Sequence, residues 1–184
     1  DRTGTDQIWF GMPTLRLDLD PPPYVRTIER DPPYSPDSTD IISFLGYAQD
    51  ETGLSAVELL WELDGVPQLE SAMLDDGDHG DYLPWDQCYG AQVGPFTTGT
   101  SVTYTVRATD VDANQYTYPS VCSFHVLEPF TKTANILFVP DYGGNSTSWF
   151  QPYFTHALEA LGHSYDVWDT DLRGPPDGDV LDLY

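Results

Sequence analysis

The chain has 184 residues, 30 of them acidic and 7 basic, giving a net charge of −23 at neutral pH. Such a surface repels nucleic acid and anionic bilayers, which argues against both as partners. No apolar run approaches the roughly 18 residues of a spanning helix, so no membrane insertion is expected, and the 14% aromatic content fits a folded chain rather than a disordered one.

Residues 1–19 hold one apolar segment, "QIWFGMPTLRLDL", in which Leu15, Leu17 and Leu19 alternate with polar residues as a strand does. It reads as the terminal strand of a preceding domain. The first residues lack the basic start and apolar middle of a signal peptide, so either a leader was removed or the chain begins inside a longer protein. Residues 20–40, "DPPPYVRTIERDPPYSPDSTD", carry six prolines between Pro21 and Pro36, which forbid a helix and a central strand. An extended, proline-rich linker is expected there.

Residues 41–128 read as consecutive short strands. In "AVELLWELDG", Val57, Leu59, Trp61 and Leu63 alternate with Glu58 and Glu62, and Asp64-Gly65 is a hairpin turn signal. In "SVTYTVRATD", Val102, Tyr104, Val106 and Ala108 share one face. With "IISFLGYA", "PQLESAML", "CYGAQV" and "VCSFHV", the spacing predicts an antiparallel β-sandwich, immunoglobulin-like or fibronectin type III-like. From residue 129 the period changes. "ANILFVPDYGG" suits a buried parallel strand. "STSWFQPYFTHALEALGH" puts Trp149, Phe150, Tyr153, Phe154, Ala157, Leu158 and Leu161 at helical spacing, with Ser146 or Ser148 as cap, Pro152 in the first turn and Gly162 at the stop. "SYDVWDTD" then reads as a second strand. Residues 129–184 are therefore expected to form a partial βαβ unit, the opening of a doubly wound domain too short to cover its helix.

The motifs "AQDETGLSAVELLWELDG", "MLDDGDHGDYLPWDQCYG" and "GTSVTYTVRATDVDANQYTYP" resemble a bacterial extracellular Ig-like or fibronectin-like module over residues 48–119. The match departs at Gln87-Cys88, where glycine and a small residue are usual. Such modules lie between catalytic domains of large secreted proteins. "FGMPTLRL" is similar to the closing strand of a gingipain-like cysteine peptidase domain, with Met12 in place of an aspartate. "NILFVPDYGGNSTSWFQPYFTHALEALGHSYDVWD" is similar to the first βαβ of a flavodoxin-like or class I amidotransferase-like domain, departing at Pro140 and Tyr142. Their order implies a stretch of a longer extracellular or cell-surface polypeptide.

The acidic segment Asp75, Asp76, Asp78, Asp81 and Asp86 offers hard oxygen ligands, and Gly77 and Gly80 let the backbone fold inward. Two readings stand: a calcium loop, or a long turn held by side-chain to backbone hydrogen bonds. Asp110, Asp112 and Asn114 present the same choice on a smaller scale. Cys88 and Cys122 are either a disulfide, implying an oxidising compartment, or two free thiols. His79, His125, His156 and His163 show no metal-ligand spacing, and no nucleophile elbow is visible, so no catalytic residue is expected. "PDYGGNSTS" is a glycine-containing turn without a phosphate-loop lysine, and Asn145-Ser146-Thr147 is a glycosylation sequon. The expected role is a non-catalytic spacer, adhesion or docking module. The alternatives are an accessory region of a gingipain-like peptidase whose active site lies elsewhere, or a subunit of a homo-oligomer or fibre built by strand donation. Its partners are then other domains of the same polypeptide or neighbouring chains.

Overall fold

In the computed structural model, residues 21–140 and 147–184 are described. The strand expected within 1–19 and the glycine turn with its sequon, at 141–147, lie wholly or mainly outside the described residues. The chain is mainly β, with antiparallel sheets arranged as a β-sandwich. One sheet runs in the order β1 (Tyr24–Asp31), β2 (Ile42–Gln49), β6 (Cys88–Val93). The other is built on β3 (Leu54–Leu63) and β7 (Ser101–Asp110), which pair antiparallel along their length. The short strands β4 (Val66–Pro67) and β5 (Ser71–Ala72) pair with β3, while β8 (Gln115–Thr117) and β9 (Cys122–His125) pair with β7.

Strict alternation explains why these strands pack as two layers. Ile42, Phe44 and Ala48 of β2 are buried, and so are Val102, Tyr104, Val106 and Ala108 of β7. Successive side chains on a strand point to opposite faces, so each sheet has one apolar face, and the two faces meet. Phe44 lies edge-on to Tyr104 with ring centroids 4.7 Å apart. Gly46 keeps the layers close: a Cβ there would stand 3.3 Å from Val106. Full burial of Ile42, Phe44 and Leu59 stabilises the fold by about 1.5–3 kcal/mol each.

The segment expected as a linker contains a strand of the sandwich. β1 pairs antiparallel with β2 from Tyr24↔Gln49 to Asp31↔Ser43, with a bulge between Val25 and Thr27. The prolines flank the octapeptide Tyr24–Asp31 without interrupting it, and β1 is an edge strand, the place where proline neighbours are tolerated. Arg30 then gathers the proline turn after it, donating to the carbonyls of Pro32 at 2.6 Å, Pro33 at 2.9 Å and Tyr34 at 2.6 Å while lying 4.6 Å from the Phe124 ring centre.

Beyond the sandwich, β10 (Leu137–Phe138) and β11 (Asp166–Val167) pair in parallel, and α1 (Thr147–Ala160) lies between them in sequence. Part of the apolar stripe of this segment faces solvent: Tyr153 is 75% exposed, Phe154 53% and Leu161 72%. Phe154 still meets Phe138 at 6.1 Å. Two short helices complete the segment, α2 (Thr170–Arg173) capped by Asp169 and α3 (Gly178–Leu181) capped by Asp177. This region is fastened to the end of the sandwich. Ser35 N–H donates to the Leu172 carbonyl at 2.9 Å, Arg173 Nη2 donates to the Glu128 carbonyl at 2.7 Å, and Leu127 N–H donates to Pro36 at 2.8 Å.

Candidate functional site

The acidic segment forms the loop between β5 and β6. Its base is pinned by reciprocal backbone bonds between Leu74 and Gly90, 2.9 and 2.7 Å, and by Met73 N–H on the Val57 carbonyl at 2.8 Å. The loop folds back over β6, and Gly90 permits this: a Cβ there would lie 2.6 Å from the His79 carbonyl oxygen and 2.8 Å from the Asp81 nitrogen. Gly80, at φ +91°, sits against Ser43 on β2 in the same way.

Most of the carboxylates organise the loop's own backbone. Asp81 is buried, accepting from Gly77 N–H at 3.0 Å and Leu83 N–H at 3.3 Å. Asp75 accepts from Asp86 N–H at 3.1 Å and Gln87 N–H at 2.9 Å, closing the loop across eleven residues. Asp86 accepts from Cys88 N–H at 2.9 Å. Asp76 accepts from Asp78 N–H at 2.9 Å and faces the His79 ring at 3.2 Å; the Asp78 amide first, and then His79, hold its carboxyl below the usual range. These are side-chain to backbone turns of the kind aspartate favours.

Of the five aspartates, Asp81 and Asp86 come together, and they do so with Cys88: one ligand atom from each lies within 4.8 Å of the others. Asp75, Asp76 and Asp78 are not part of that group. Two carboxylates and a thiol fall short of the six to eight oxygens calcium takes. Burial, followed by Asp81, Asp86, Asp75 and Glu29, pushes the Cys88 thiol up to about 11, so at neutral pH it is protonated and a poor ligand or nucleophile.

The candidate disulfide is not made, since Cys88 and Cys122 are both free thiols. They belong to opposite sheets: Cys88 turns away from the core toward the acidic loop, while Cys122 packs against the core beside its strand partner Tyr104. Burial first, and then Cys122, push the Tyr104 hydroxyl up to about 12. In the second acidic turn, Asp110 is buried and accepts from the N–H groups of Asp112 at 2.9 Å and Asn114 at 2.8 Å, and from the Asn114 amide at 2.9 Å, the arrangement of a hairpin turn. His79 is in the acidic loop, His125 on β9, His156 on α1 and His163 after it, four separate places.

Two features escaped sequence reasoning. Asp166, buried on β11, accepts from the N–H groups of Thr133 and Ala134 at 2.8 Å each, and from the hydroxyls of Thr133 and Tyr184. These bonds, the Thr133 hydroxyl first, hold its carboxyl well below the usual range. An acid inside the apolar "YDVW" run was the available signal. The second is the loop tip, where Tyr82, Leu83 and Trp85 are 77%, 63% and 88% exposed among the aspartates. Large apolar residues inside a run of turn formers, with no strand or helix period, mark it in sequence.

A search of protein-family models and of curated proteins finds no match to this chain.

Proposed function

We propose that the chain is a non-catalytic extracellular β-sandwich module that holds larger parts of a secreted or cell-surface protein at fixed spacing and docks them. The strand order β1-β2-β6 on one sheet and β5-β3-β7-β9 on the other, with Asp37 bridged in parallel to Leu127, supports an immunoglobulin-like or fibronectin type III-like reading. The parallel β10–β11 pair and the exposed apolar side of α1 support a partial βαβ unit belonging to a larger α/β layer.

The observation that carries the proposal is the joint. Tyr34–Asp37 bonds both to Leu127 at the end of the sandwich strands and to Leu172 in the α/β segment, and a Cβ on Gly174 would stand 2.2 Å from the Tyr34 ring. A linker between independent domains is short of such contacts, whereas a spacer needs them. Spin labels at exposed Thr117 and Asp179, with Cys88 and Cys122 replaced by serine, test this. One narrow distance distribution is expected, broadened in Arg173→Ala. A broad distribution in the unaltered joint would sink the spacer reading, and so would peptide or ester hydrolysis abolished by Cys88→Ser or Cys122→Ser.

A further inference from the structure

We infer that the tip of the acidic loop is a docking surface for a cationic polypeptide segment, with Tyr82 and Trp85 receiving its arginine or lysine side chains. The inference rests on the docking part of the function proposed above and adds the chemistry of the partner. Tyr82, Leu83 and Trp85 crowd three large, mainly exposed side chains into one turn, 77%, 63% and 88% accessible. Large apolar side chains exposed together within one turn mark interaction sites more often than scattered single residues do. Trp85 also forms the wall of a groove of about 360 Å³ that includes Leu74, Asp75 and Tyr89.

The tip is presented on a fixed base. Asp81 is buried beneath it and Asp75 clasps the backbone on its far side, so little ordering remains to be done on binding. Along the loop, exposed Asp76 and Asp78 precede the aromatics and exposed Asp86 follows them. Aromatic faces attract cations, guanidinium above all, and carboxylates beside them complete a site for such a group. Charge selects among occupants. A second copy would bring another −23 and the same acidic loop, and nucleic acid or anionic lipid would be repelled alike. A neutral glycan would stack on the rings but would draw little from the three flanking charges.

The test uses the full chain and a fluorescent peptide of alternating arginine and glycine, read by anisotropy near 0.15 M salt, where the Debye length is about 8 Å. Trp85→Ala and Tyr82→Ala are each expected to weaken binding by about three- to thirtyfold, the range a cation–π contact supplies. Asp76→Asn with Asp78→Asn is expected to do likewise, because the amide keeps the turn acceptor and removes the charge. Glu51→Gln with Asp112→Asn, exposed and outside this loop, is expected to change affinity by less than about twofold on the same scale. Equal losses in the two paired variants would show diffuse attraction to net charge and overturn the inference. So would no binding of the peptide, or Trp85-dependent binding of an uncharged oligosaccharide in its place. The spin-label distances are independent of these results, so a failed docking surface and a failed spacer are told apart.

Discussion

At the scale of single residues, burial and nearby carboxylates hold the Cys88 thiol protonated at the start of β6, within a run that reads as a strand. Its thiol sits among Asp75, Asp81 and Asp86, and loss of a proton would place a fourth negative charge beside them. The thiol pKa is raised from 9.0 to about 11, so the folded state holds its proton more tightly than the unfolded chain does. The resulting stability is fully present below pH 9 and is lost as pH rises toward 11. Alkylation of Cys88 in a Cys122→Ser background is therefore expected to be slow at pH 8 and to climb about tenfold per pH unit until near 11. A rate already level by pH 9 would show that neither burial nor the carboxylates raise the thiol. The disulfide question was open in the sequence because an even count does not pair cysteines; in the structure both are free, Cys88 turned from the core and Cys122 packed on it.

At the scale of elements, alternation made the sandwich strands legible: β6, β7 and β9 fall inside the runs read as strands, and β2 and β3 overrun theirs by one and two residues. The strand β1 was hidden because proline is a local signal and edge position is a global one. Six prolines around Tyr24–Asp31 mark a linker until it is known that only one side of the strand must pair. Val25 discriminates, being 1% exposed in the core. Val25→Ala is expected to cost about 2 kcal/mol in denaturant unfolding, from two lost methyl groups plus the cavity, whereas a linker residue would cost nothing measurable. Asp110→Ala should cost about 3 kcal/mol by the same measurement, since it leaves the Asp112 and Asn114 N–H groups without their acceptor. The acidic loop was legible only as a choice, because a turn and a calcium loop call for the same residues. The positions of the N–H groups decided how Asp75, Asp76, Asp81 and Asp86 are used.

At the scale of the molecule, two electrostatic effects of opposite sign meet. Asp166 ties residues 133–134 and the Tyr184 hydroxyl to β11 as an ionised group. Its folded pKa is depressed below the ordinary 3.8, so its contribution is present above that pH and is lost as pH falls below it. Acidification below about pH 4 is thus expected to loosen the α/β segment while amides in β3 and β7 stay protected. Hydrogen exchange tracked along the chain checks this, and simultaneous loss of protection everywhere would contradict it. The remaining charge acts against folding: the chain carries −23 at neutral pH, and like charges repel in the folded state. Raising sodium chloride from about 0.01 to 0.1 M shortens the Debye length from about 30 to 10 Å, and the melting temperature should rise by several degrees. A melting temperature indifferent to salt would mean the acids are already neutralised locally. Calcium at matched ionic strength separates screening from binding. If Asp81 and Asp86 hold the ion, stabilisation should exceed that from sodium, grow with free calcium, and vanish in Asp81→Asn with Asp86→Asn. Equal stabilisation by the two salts would leave those carboxylates the purely structural task their backbone bonds describe.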